Sequence, residues 1–335
     1  MIDYFIYDPA GPSLRLLPSL GGTIPEVQAR AEADGLHISK MMARRMESLD
    51  IGIIYRGPGD FAVAELQIAA DDTGTAARPE VRVFNPAVSD QWVLKMPRIV
   101  PVHPRSDLDM DRVLWYWDTD AVAPFGTWLC WVDYTAGVML YELFGESSEI
   151  LFLELPIKQY CINRDEVGRG WLEAYHALGA TDGGNVLKFT SVSSDDPPPS
   201  DGITKPVYHP FPNQFVVTTW SLKLAFGNNM TWKKESSVTA DELRDLDEFG
   251  HLPRELFMYP TFNLNNPDVV SFVLKKGDGI YDVGEIWLVA INVMKKTVES
   301  SMLYIKNYDA CSPEEIELFE RKIRYFEPFL AAEFS

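Results

Sequence analysis

The chain has 335 residues, 46% hydrophobic and 24% charged, ordinary proportions for a protein that buries a core, and its length allows one large all-β domain or two smaller ones. Its formal charge of −19 repels phosphate backbones and anionic lipid headgroups, which argues against nucleic acid and a membrane surface as partners. Cys130, Cys161 and Cys311 are odd in number, scattered and without Cys-x-x-Cys spacing, so neither a disulfide framework nor a zinc knuckle is indicated, and a reducing, intracellular compartment (cytoplasm or nucleus) is expected.

The N-terminal stretch MIDYFIYDPAGP lacks the basic start and apolar centre of a secretory signal, and no run approaches the ~18 apolar residues of a membrane span. Tyr4–Pro18 reads as a hairpin, two apolar runs around Asp8-Pro9-Ala10-Gly11-Pro12. A polar insertion, Ser19–Asp50, follows, with helical segments at Pro25–Ala33 and Ser39–Leu49. Gly52–Ile68 reads as a strand pair and Glu80–Pro97 as a second hairpin.

The most informative stretch is Trp128–Pro156, in which three apolar runs, Trp128–Val132, Val138–Phe144 and Ile150–Leu155, are separated by the turn signals Tyr134–Gly137 and Gly145–Ser148. That is a β-meander, preceded by a further strand in Asp120–Asp133. The grammar recurs at Thr218–Val238 and Ile286–Tyr304, with single strands before them at Gly184–Ser193 and Pro267–Lys276. Between these units lies the Pro-rich loop Ser193–Pro212. After Ser312-Pro313-Glu314-Glu315 the residues Ile316, Phe319, Ile323, Phe326 and Leu330 recur at helical spacing, which predicts a C-terminal helix over 313–330.

A hairpin buries only one face, so repeated small meanders must stack. The expected fold is therefore mainly β: a β-propeller-like array of about five blade-like antiparallel units in a single domain, 1–335, with insertions at 19–50 and 193–212 and a closing helix. Several segments carry a family resemblance: YFIYDPAGPSLRLLP, FAVAELQI, DTDAVAPFGTWLCWVDYTAGVMLYELF, ILFLELP, TTWSLKL with MTWKKESSVTADEL after it, and NNPDVVSFVL. With the phrase Trp131-Val132-Asp133 to Gly137, they resemble the plant domain of unknown function 1618, abundant in grasses and akin to F-box-associated propellers. The resemblance implies no reaction and no catalytic residues. It does imply, through the F-box-associated relatives, the alternative role of substrate adaptor of a ubiquitin ligase.

Candidate chemistry is sparse. Asp107, Asp109 and Asp111 alternate like the oxygens of a calcium loop, but Arg112 stands where the turning Gly belongs and Asp118 where a bidentate Glu is usual, so the cluster reads as an acidic surface turn. Asp118, Asp120 and Asp133 flank the best strands and would suit a carboxylate-based hydrolase if they converged. Asp133 reads instead as a turn-bonding residue. Cys130 sits in an apolar run as a core residue, and His37, His103, His176, His209 and His251 form no metal-spaced pair. No catalytic residue, metal ligand or cofactor site is assigned. The expected function is a noncatalytic protein-interaction scaffold, monomeric or weakly oligomeric, whose contact loop is centred on Asp195, Asp196, Pro197, Tyr208 and His209.

Overall fold

The structure, a computed structural model, describes residues 4–8, 12–18, 50–57, 59–70, 77–157, 172–194, 215–224, 230–263, 265–276 and 285–305. The expected interaction loop, both insertions apart from Asp50, Ser193 and Ser194, and the expected C-terminal helix lie outside the described residues. Strands dominate. The chain divides into two compact units, one formed by Met1–Asp133 with Val138–Leu153, the other by Tyr134–Gly137 with Glu154–Ser335.

In the first unit, β1 (Phe5–Asp8) and β2 (Ser13–Leu16) form the first expected hairpin. Next, β3 (Ile51–Gly57), β4 (Asp60–Ala70), β5 (Ala77–Phe84) and β6 (Val93–Lys95) pair in sequence order as an antiparallel meander. The central stretch supplies β8 (Ala121–Phe125), β9 (Trp128–Asp133), β10 (Gly137–Glu142) and β11 (Glu149–Glu154), again in sequence order. One strand was not foreseen. β7 (Arg98–Pro101), from the connection before this meander, adds in parallel to the outer edge of β11.

The core between these two meanders explains the apolar runs. Ile54, Ala62, Ala64, Leu66, Val81 and Val83 face Leu129, Trp131, Met139, Tyr141, Ile150 and Phe152. Trp131 has no exposed surface, and its indole N–H donates to the Asp50 carbonyl at 2.7 Å, so the ring is buried without an orphaned donor. Sheets approach closely at Gly52, where an added Cβ would lie 2.5 Å from Val122 and 2.7 Å from Leu129. The hairpin β1–β2 rests on the opposite face of β3–β6, where Leu17, Phe61, Val63 and Phe84 cluster and Arg15 lies 5.3 Å from the Phe61 ring centre.

In the second unit, β12 (His176–Thr181), β13 (Val186–Ser194), β14 (Phe215–Lys223) and β15 (Lys233–Thr239) form one antiparallel meander. A second comprises β16 (Met258–Phe262), β17 (Val269–Lys275), β18 (Ile286–Asn292) and β19 (Thr297–Ile305). Their shared core includes Val192, Phe215, Val217, Phe257, Phe272 and Ile291. All five expected hairpins are thus paired strands: β1–β2, β5–β6, β10–β11, β14–β15 and β18–β19. The opening strands β12 and β16 escaped sequence reading: β12, HALGAT, has small residues and Gly instead of an apolar run, and β16 is interrupted by Pro260.

Candidate functional site

Asp107, Asp109 and Asp111 are exposed, and the second half of this acidic stretch opens a short helix, α1 (Met110–Trp115). Asp109 is the N-cap, its carboxylate accepting from the Arg112 backbone N–H at 3.0 Å, and Asp111 lies in the first turn, where negative charge suits the helix dipole. Asp107 accepts two bonds, each 3.0 Å, from the Arg105 guanidinium, which holds its carboxyl below the ordinary value. Each of the three carboxylates thus has its own local partner or helix end. Among the described residues, no group of three or more His, Cys, Asp or Glu could hold a metal ion.

The second carboxylate trio flanks β8 and β9. Asp133 is fully buried and accepts from the backbone N–H of Asp118 at 3.0 Å, whereas the Asp118 side chain is exposed to solvent. The Asp120 N–H donates to the Val132 carbonyl at 2.7 Å, continuing the pairing of β8 with β9. Asp133 therefore fixes the entry into β8. Cys130 is wholly buried and its thiol pKa is pushed up by burial, which removes it as a nucleophile.

Groups that sequence reasoning passed over emerge in the second unit. Lys188, buried in β13, places its ammonium 3.0 Å from Glu235 Oε2, 3.0 Å from Asp268 Oδ1 and 3.0 Å from the Pro267 carbonyl to which it donates. It donates to Asp268 and to the Pro267 carbonyl and forms an ion pair with Glu235, whose Oε2 has no hydrogen-bond partner among the described residues, so this is a charged clamp tying β13 to β15 and to the turn before β17. Nothing in the sequence pairs those positions, because the partners are 47 and 80 residues away.

His176 opens β12 inside an aromatic group: its ring centre is 5.3 Å from Tyr134 and 5.9 Å from Phe189, and Phe189 in turn stacks on Trp220 at 5.4 Å and meets Trp232 at 6.1 Å. Burial lowers the His176 pKa to about 4, so the imidazole is neutral near pH 7, and its buried Nδ1 has no hydrogen-bond partner. Phe189, fully buried, fills the middle of this group, and the rings pack on one another.

Two further features are chemically suggestive. Tyr259 adopts a left-handed backbone (φ 52°) at the bulge in β16, unusual for a bulky residue. Burial raises its pKa, with the Glu173 charge adding to the effect, and burial first and Tyr259 second raise that of Tyr175 to about 12. His251 Nε2 lies 2.9 Å from Ser301 Oγ, the spacing of a base and a nucleophile, with Trp287 edge-on to the imidazole. Among the described residues no carboxylate orients the other ring nitrogen, so the pair lacks the third member of a triad.

Residues 131–271 match the model of a family described as a protein of unknown function, DUF1618. The DUF1618 match runs from Trp131 in β9 to Ser271 in β17 and includes the Trp131-Val132-Asp133 phrase, the aromatic group and Lys188. No curated protein matches. Solved structures with partial likeness include the acylaminoacyl peptidase of Pyrococcus horikoshii (9% identity, TM-score 0.33, covering 73% of this chain and 31% of that one). Others are an exo-β-1,3-galactanase from Clostridium thermocellum (10%, 0.32, 79% and 50%) and TolB from Acinetobacter baumannii (9%, 0.29, 88% and 51%). The chain spans at most about half the length of these three (31%, 50% and 51%), and likeness at such scores carries nothing about activity.

Proposed function

We propose that the protein is a noncatalytic interaction scaffold, a propeller-like array of meanders within one domain that presents its connecting loops to protein partners inside the cell. The observation that carries this reading is the local commitment of the candidate carboxylates: Asp107 to Arg105, Asp109 to the end of α1, and buried Asp133 to the Asp118 backbone. A carboxylate hydrolase needs two such groups facing one substrate bond. Rigid antiparallel sheets with variable connections are the usual frame for loop-borne recognition. The kinship with a plant family and with F-box-associated propellers, and a role as ubiquitin-ligase adaptor, belong to the same proposal and rest on the sequence resemblance.

The contact element in this reading is the loop holding Asp195, Asp196, Pro197, Tyr208 and His209, because a Pro-rich segment loses less entropy when a partner orders it. The test replaces Asp195–Tyr208 by a short Gly-Ser linker and compares partner recovery with the parent after confirming an unchanged melting midpoint. Selective loss of partners is expected. Full recovery of every partner eliminates this loop, and recovery of none by the parent eliminates the scaffold reading.

A further inference from the structure

In the β1–β2 hairpin, Phe5 pairs with Leu16 and Tyr7 with Leu14, so four large apolar side chains share one face of a two-stranded ribbon. They are 52%, 54%, 63% and 64% exposed respectively. The other face is in use: Ile6 and Leu17 join Phe61, Val63 and Phe84, and Arg15 covers two rings. On the sheet beneath, Ile53 and Tyr55 sit opposite Val63 and Phe61 in register, hence on the face that carries the hairpin, and they too are 41% and 51% exposed.

The four hairpin side chains exposed to this degree amount to roughly 450 Å² on one face, the size of the largest apolar patch on a typical monomer, which is often an interaction site. The area is below the ~800 Å² per partner of a standard protein–protein interface, so it suits a peptide-sized segment more than a second domain. The charge of the chain decides its chemistry. At −19, two copies repel each other at long range, while a segment flanked by Lys or Arg is drawn in. From these observations we infer that the exposed β1–β2 face docks an extended or helical partner segment with an apolar centre and basic flanks. This deepens the scaffold reading and rests on it, adding a second surface distinct from the Pro-rich loop.

The test uses the full chain and a short, fluorescently labelled amphipathic Leu/Lys peptide, with a Leu/Glu peptide of the same pattern as control. Anisotropy titrations are run on the parent, on Tyr7→Ser with Leu14→Ser, and on Phe5→Gln with Leu16→Gln, the second pair serving if the first alters melting. The expected result is saturable Leu/Lys binding, weakened about tenfold or more by either pair at unchanged melting midpoint, with weaker binding of Leu/Glu. Equal binding by the variants, or equal binding of both peptides, overturns the inference. Self-association of the parent in sedimentation that the same pairs abolish would assign the face to a second copy and likewise overturn it. A parent that captures partners in the loop experiment while failing here keeps the scaffold reading and loses only this surface.

Discussion

At the residue scale, stability rests on a few groups whose burial is complete. Trp131 is enclosed by both meanders of its unit and uses its only donor on the Asp50 carbonyl, which also accepts from the Leu66 N–H at 3.1 Å, so Trp131→Ala removes a large ring and one hydrogen bond to that carbonyl. A loss of about 3–5 kcal/mol is expected, read as a lower denaturation midpoint in urea. His176 makes stability depend on pH. Its folded pKa of about 4 lies below the unfolded 6.5, so above pH 6.5 it is neutral in both states and has no effect. As pH falls from 6.5 toward 4 the unfolded chain takes up the proton first, and stability declines by up to about 3 kcal/mol before levelling off. His176→Phe keeps a ring between Tyr134 and Phe189 and should flatten that part of the stability–pH curve. A variant whose acid-limb slope between pH 6.5 and 4 equals the parent's would show that another group controls it.

At the element scale, the meanders are specified by alternation and short turns but held in place by close contacts. Gly52 lies where β3 crosses Val122 and Leu129, with no room for a methyl group. Gly52→Ala should therefore cost about 1–3 kcal/mol through overpacking, despite the alanine's better strand propensity. A melting midpoint equal to the parent's would mean that β8 and β9 shift freely, contrary to the dense core around Leu129. The short helix α2 (Ala240–Arg244), which follows β15, shows the opposite balance: it is fixed by local chemistry. The Thr239 hydroxyl accepts from the Glu242 N–H at 3.2 Å, and the Glu242 carboxylate accepts from the Thr239 N–H at 3.0 Å. Lys296 also bonds Glu242, and these two donors hold its carboxyl below the ordinary value. Thr239→Ala should lower stability by about 0.5–2 kcal/mol in thermal melts.

For the whole molecule, charge and composition govern behaviour more than any single contact. With a sequence pI near 4.6, colloidal repulsion is weakest close to that pH, where the His176 penalty is also nearly complete. Turbidity should peak between pH 4 and 5, and the His176→Phe variant should keep the position of the peak while lowering its height. A peak near neutrality would contradict the charge argument. The two compact units each carry a separate apolar core, Trp131 and Phe152 in one, Phe257 and Phe272 in the other.

The sequence by itself determined the class of the fold and the five hairpins, because alternation, strand-length apolar runs and Asp, Asn, Gly and Pro turns are local signals that tertiary context did not override. It also placed Cys130 in the core and led to a family resemblance that the DUF1618 match over 131–271 supports. Strands β7, β12 and β16 escaped it: β7 is defined by the β11 edge it joins, and the other two lack apolar runs of their own. Only the tertiary structure decided what the charged and polar groups do. Lys188 meets Glu235 and Asp268 across long stretches of chain, Asp133 turns toward the Asp118 backbone, and Phe5, Tyr7, Leu14 and Leu16 are apolar like core residues yet face solvent. Hydrophobic patterning reports which face of a strand is apolar; what that face meets depends on contacts distant in sequence.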